Sequence, residues 1–169
     1  MDITEVILAD HEEQRRIFAR LDDVDRSDSS TLEALWTRLS AMLEVHAKAE
    51  ELFFYPRLIQ LGAALHDDSE VAETEDAIGD HNDIRDGIAE ALRHETGSDG
   101  WWSGVMAARE ANDEHMGEEE HEGLADFRRH VSLEERHEIA VTFVAWQAQH
   151  VDGVPLVDED PKEYVRENS

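Results

Sequence analysis

The sequence predicts an all-α fold, an up-down-up-down antiparallel four-helix bundle with an additional C-terminal helix. Three observations predict it. Apolar residues recur at helical spacing through four long stretches. Short polar turns join those stretches, such as RSDSS at 26–30 and HETGSDG at 94–100. No run of alternating apolar and polar residues bounded by turn signals argues for a strand.

The first helix covers residues 3–24, with Ile7, Phe18 and Leu21 on one stripe. Ser30 and Glu33 make a capping box that opens the second, where Leu32, Leu35, Leu39, Met42 and Phe53 recur with a period near 3.5. Pro56 lies late in this segment and is expected to bend or end the helix. The third helix carries Ile78, Ile84, Ile88 and Leu92 and is closed by Gly97. The fourth runs from about Trp101 through Val105 and Ala108 to about His130. Ser132 and Glu135 form a second capping box, opening a fifth helix over 133–150 that carries Leu133, Ile139, Phe143, Val144 and Trp146 and packs across the bundle. The bundle domain is then 1–150, with its four-helix core at 3–130. Gly153, Pro155, Pro161 and many acids predict an extended or loosely ordered acidic tail over 151–169.

A chain of 169 residues, 40% of them hydrophobic, is one domain by size and long enough to bury a core. Cysteine is absent, which excludes disulfides, thiolate metal sites and cysteine nucleophiles together. Any metal must be held by nitrogen and oxygen. The 42 acids against 15 Lys and Arg give a net charge of −27, a surface that repels phosphate backbones and anionic lipid, so neither nucleic acid nor membrane is an expected partner. The acids are spread along the whole chain, as on the solvated surface of a halophile's protein, rather than gathered into one block. No apolar run is long enough to span a bilayer, and MDITEVILAD carries acids where a secretory signal carries positive charge, so the expectation is a soluble cytoplasmic protein.

Each of the four bundle helices places one histidine on its apolar stripe. His11 lies between Ile7 and Phe18, His46 seven from both Leu39 and Phe53, His81 three from both Ile78 and Ile84, and His115 seven after Ala108. His46 and His115 are each followed four residues later by a glutamate, Glu50 and Glu119, on the same helical face. A single histidine on such a stripe is usually a hydrogen-bonded core residue. Four of them with two glutamates are not accommodated that way, because each unpaired buried carboxylate costs several kcal/mol or takes up a proton. A bound cation removes that cost, with carboxylate and neutral imidazole as its ligands.

The spacing also predicts that the side chains converge. His11 lies about 14 residues before the first turn and His46 about 15 after it, so at about 1.5 Å per residue both stand roughly 21 Å from the same end. His81 and His115 repeat the relation about the next turn. The separations are 35 residues for His11 to His46 and 34 for His81 to His115, with Asp10-His11 echoed by Asp80-His81. Two such halves facing each other bring enough donors to the centre for two metal ions.

The motifs DHEEQRRIF at 10–18, HAKAEELFFYP at 46–56, DHNDI at 80–84 and HMGEEE at 115–120 resemble those of the hemerythrin-like, or HHE cation-binding, family over roughly residues 8–130. That resemblance implies an antiparallel four-helix bundle holding two iron ions in a non-haem di-iron centre with a bridging oxygen. His11, His46, His81 and His115 would be terminal ligands, and Glu50 and Glu119 would bridge the irons. Oxygen-carrying hemerythrins have a fifth histidine four residues from the one on the third helix, whereas this chain has Ala77 before His81 and Arg85 after it. About one open position per iron would remain.

The expected role is binding of dioxygen or a related diatomic or peroxide ligand, or sensing or holding iron. The alternatives are a di-iron peroxidase or nitric oxide reductase and a metal-free interaction bundle. An oligomer is compatible with each. A ferritin-like reading would instead use Glu118 with His121 and Glu134 with His137. His137 is expected in the core, with a fifth ligand as the alternative. His66, His94, His130 and His150 are expected near helix ends without a metal role. Glu51 and Glu120 either accept hydrogen bonds from the imidazoles or face solvent. Asp10 and Asp80 are expected to be solvated. Phe18, Phe53 and Phe54 are expected in plain core, or keeping the site dry.

Overall fold

Asp2 opens the first helix. Its carboxylate accepts from the Thr4 backbone N–H at 3.1 Å and the Thr4 hydroxyl at 2.9 Å, and α1 (Ile3–Asp23) follows. The computed structural model describes residues 1–65 and 69–169. The further helices among them are α2 (Ser29–Phe53), α3 (Tyr55–Leu65), α4 (Ser69–Leu92), α5 (Asp99–His121), α6 (Gly123–His130), α7 (Leu133–Gln149) and α8 (Pro161–Asn168). No strand occurs among the described residues, so the fold is the all-α bundle that the periodicity predicts. Helices α1, α2, α4 and α5 form the bundle, α3 and α6 continue α2 and α5 beyond breaks, and α7 lies against α1 and α2. No helix among the described residues is long and apolar enough to cross a membrane.

Several details differ from the sequence expectation. The cap of α2 is Asp28 rather than Ser30, because its carboxylate receives both the Thr31 N–H at 3.1 Å and the Thr31 hydroxyl at 2.7 Å. Leu32, Trp36, Leu39, Leu43, His46 and Glu50 are the buried face of α2, whereas Leu35, Met42 and Phe53 are half-buried beside it. The expected break near Pro56 occurs at Phe54, which leaves the proline in the first turn of α3, where a missing N–H costs nothing.

The expected continuous helix from Trp101 to His130 is instead interrupted at Glu122. The turn swings Leu124 and Phe127 into the core, with the Phe127 ring 5.0 Å from that of Phe54. The tail is not extended throughout, since Asp160 caps α8 and Tyr164 and Val165 are buried against the bundle. Tyr164 donates to the Glu51 carbonyl, and Glu159 accepts from Lys48 and exchanges two hydrogen bonds with Asn82. A local cap and two contacts with the bundle outweigh the acidic composition there.

The buried side chains form two apolar clusters. One gathers Ile3, Ile7, Phe54, Leu58, Ile78 and Phe127; the other gathers Ile17, Phe18, Leu39, Ile84, Trp101 and Val105. Histidines 11, 46, 81 and 115 lie along the chain between members of these clusters, in a polar layer. The two helices that carry His81 and His115 touch backbone to backbone: a Cβ on Gly87 would lie 2.4 Å from the Ala108 nitrogen, and one on Gly104 2.3 Å from the Ala91 nitrogen. Their close approach leaves the two imidazole rings 4.6 Å apart.

A net charge of −27 repels itself most strongly in the compact state. The melting temperature is therefore expected to rise between 0.05 and 1 M KCl, as the Debye length falls from above 10 Å to about 3 Å. Differential scanning calorimetry across that range checks it, and a flat or falling melting temperature would contradict it.

Candidate metal centre

All six sequence-predicted side chains meet in the bundle interior, and each is at most 3% exposed. His11 on α1, Glu50 on α2 and His115 with Glu119 on α5 place donor atoms within 4.8 Å of one another. Glu50 lies between two histidine pairs. Its Oε1 is 2.8 Å from His46 Nε2, while its Oε2 is 3.3 Å from His81 Nε2 and 3.7 Å from His115 Nε2. Glu119 Oε2 is 3.4 Å from His11 Nε2, and its Oε1 accepts from the Tyr55 hydroxyl at 3.1 Å.

The outer face of each imidazole meets a carboxylate. His11 Nδ1 is 3.0 Å from Glu120, His46 Nδ1 3.1 Å from Asp10, and His81 Nδ1 3.1 Å from Glu51. His115 Nδ1 is 3.8 Å from Asp80, beyond hydrogen-bond length. The internal repeat organises this set. The aspartate before one histidine serves the histidine of the paired helix, Asp10 with His46 and Asp80 with His115. The glutamate after each buried glutamate serves a histidine of the helix opposite, Glu51 with His81 and Glu120 with His11. A carboxylate on Nδ1 holds the proton there and leaves the Nε2 lone pair facing inward.

The carboxylates are themselves anchored. Gln147 of α7 donates to Asp10 at 2.7 Å, and Arg15 to Glu120 at 2.8 Å. Arg85 donates to Glu51 at 2.7 Å and to Glu44 at 2.8 Å. Asp80 has no arginine or lysine partner among the described residues; burial, then the charge of Glu118, push it up to about 7.

The inner groups shift one another's proton affinities. Burial, and after it the Glu50 charge, hold Glu119 well above the ordinary carboxylate range. Burial raises Glu50 too, but the His46 charge and the imidazoles of His115 and His81 beside it outweigh burial and hold the group well below that range. Burial brings His115 down to about 4 and lowers His11. His46 is raised well above its ordinary value, since Glu50 and Asp10 overcome burial. His11 Nε2, His46 Nε2, both Glu50 oxygens and Glu119 Oε2 are buried without a hydrogen-bond partner. Such a cluster of inward-facing nitrogen and oxygen atoms is what a cation would fill, and imidazole nitrogen with carboxylate oxygen suits iron.

The remaining sequence expectations sort cleanly. Glu51 and Glu120 take the hydrogen-bonding alternative, and Asp10 and Asp80 are beside the imidazoles rather than fully solvated. His137 is neither core nor ligand: it is exposed, and its Nδ1 is 3.1 Å from the Met1 carbonyl. Glu118, His121 and Glu134 are exposed as well, which removes the ferritin-like alternative. His94, His130 and His150 lie at helix ends as expected, whereas His66 is outside the described residues. Phe18 and Phe54 are core and Phe53 is half-buried.

Two residues near the site escaped sequence reasoning. Phe143 of α7 stands edge-on to His46 at 6.1 Å, and Tyr55 stands 5.8 Å from the His81 ring. Tyr55 was inside the HAKAEELFFYP string but off the stripe; the break at Phe54 turns it inward. Where a fifth histidine might have stood, Ala77 lines a small cavity of about 10 Å³ together with Tyr55, Glu73, His115 and Glu119.

The family profile described as the hemerythrin HHE cation binding domain matches residues 2–142. No significant match was found among curated proteins or among solved structures.

Proposed function

Since the chain belongs to the hemerythrin HHE cation-binding family, we propose that its interior holds two iron ions in a non-haem di-iron centre that binds dioxygen or a related small molecule, or senses or holds iron. His11, His46, His81, His115, Glu50 and Glu119 would hold them through imidazole nitrogen and carboxylate oxygen. The observation that carries this is the placement of Glu50, with one unpartnered oxygen toward each histidine pair. An iron pair supplies the redox chemistry that protein side chains lack. The chain supplies the rest. Glu120, Asp10 and Glu51 fix the direction of the imidazoles, Phe143 and Phe54 line the surrounding apolar shell, and the cavity beside Ala77 leaves room of about one water molecule.

Tyr55 favours one alternative. Burial and the nearby Glu119 and Glu50 charges raise its pKa, so the hydroxyl keeps its proton beside the cavity. A protonated donor there suits a di-iron peroxidase or nitric oxide reductase, in which Tyr55 would hold a proton at its hydroxyl for the ligand in the cavity.

The absorption spectrum of the reduced, iron-loaded protein separates these roles. A change on exposure to air that reverses on removing oxygen supports binding; irreversible oxidation with turnover of peroxide supports an enzyme; indifference to oxygen supports sensing or holding iron. Protein that takes up no iron would overturn the proposal.

Metal uptake is also expected to release protons. Glu119 and His46, both held above their ordinary pKa, carry protons in the metal-free site and must lose them to serve as ligands. Affinity should therefore rise with pH. Titration calorimetry in two buffers of different ionisation enthalpy measures the release, and identical heats in both would contradict it.

A further inference from the structure

The six side chains of the centre are buried, so a cation needs a way in. A surface groove of about 630 Å³ between α4 and α5 is lined by Glu75, Asp76, Asp80, Asp83, Glu114 and Glu118, and no basic residue among the described residues lines it. Two of these acids, Asp80 and Glu118, also line the inner cavity that reaches His115 and Glu119. Groove and cavity thus share one doorway.

An acidic groove alone is a solvated face. What distinguishes this one is its inner end. Glu119 is 3% exposed, lines the cavity, and its Oε2 has no hydrogen-bond partner. Glu73 on the same cavity wall adds a further buried carboxylate oxygen, Oε1. Carboxylate oxygens therefore continue from the surface to the centre.

A glycine supports the same conclusion. Gly79 lines the groove in the interior of α4, where glycine is about 1 kcal/mol less favourable than alanine. A Cβ there would meet nothing within 4 Å, so packing does not require the glycine. Its missing side chain keeps the groove floor open.

We propose that this groove is the route by which a divalent cation reaches the buried centre, its carboxylates concentrating the cation at the doorway and replacing hydration waters on the way in. The proposal rests on the metal-binding reading above. Acidic walls raise the local cation concentration, and this is a rate effect that leaves the final occupancy unchanged.

The test follows cobalt(II) absorption after stopped-flow mixing with the metal-free full chain. The double variant Glu114→Gln/Glu118→Gln is expected to load about three- to tenfold more slowly and to reach the same final metal content. Gly79→Leu should also load more slowly, without any change of charge. A control, Glu33→Gln/Glu138→Gln, removes the same charge from exposed positions on α2 and α7 that do not line the groove, and should stay within about twofold of the parent. Unchanged rates in the groove variants, or an equal slowing in the control, would overturn the route while leaving the centre intact. A parent protein that binds no cobalt at equilibrium would overturn the centre itself and the route with it.

Discussion

Replacing Arg85 with methionine is expected to destabilise the metal-free protein by about 3–5 kcal/mol. Arg85 is 1% exposed and Glu44 and Glu51 are each 3% exposed, so the substitution leaves two buried carboxylates short of their guanidinium. Glu51 retains Lys48 and His81, whereas Glu44, whose Oε1 has no hydrogen-bond partner, must take up a proton. Urea unfolding followed by circular dichroism measures the loss, and a value below about 1 kcal/mol would contradict it. The double variant Arg85→Met/Glu44→Met should recover much of the stability, because removing a buried pair together is far less harmful than removing one partner.

The same network sets an acid limit. Burial raises Glu51, but the His81 hydrogen bond and charge and then Arg85 outweigh it and bring it down to about 2. A depressed carboxyl contributes stability that is present above its unfolded value, near 4.5, and lost as pH falls through about 2. Arg85→Met should narrow that window and move the acid unfolding midpoint upward.

The second large effect is expected from Glu50→Gln. In the metal-free protein the change keeps the shape but removes the carboxylate that pairs with His46, so unfolding free energy should fall by about 3 kcal/mol. With metal the outcome should differ. A ligand at 100 times its dissociation constant stabilises by about 2.7 kcal/mol, and a glutamine that cannot bridge as an anion should forfeit most of that gain. Thermal melts with and without added metal read both quantities. An undiminished metal-dependent gain would show that Glu50 is not a ligand; a collapse of the metal-free protein would show that it is chiefly structural.

Much of this was legible in the sequence because it depends on period. Histidines 11, 46, 81 and 115 fell on apolar stripes at one level, and the structure brings all four together with Glu50 and Glu119. What the period does not encode is contact between helices. Asp10 and Asp80 read as surface acids on their own helices, and only the packing shows that each meets a histidine on its neighbour. Arg85 read as the lack of a histidine, yet its guanidinium reaches two helical turns of α2 at once.

The breaks divide in the same way. Pro56 announced the end of α2 through its missing N–H, whereas the break at Glu122 has no proline and is stabilised by the burial of Leu124 and Phe127. Helix α8 was missed because only two of its eight residues are buried, Tyr164 and Val165, too few to mark a stripe.

The metal-to-protein ratio of the full chain, purified without chelator and measured by elemental analysis, tests the central claim most directly. Two irons per chain are expected, falling in variants that lose His46 or Glu50. Freshly prepared protein with His11, His46, His81 and His115 intact and no bound metal would contradict it.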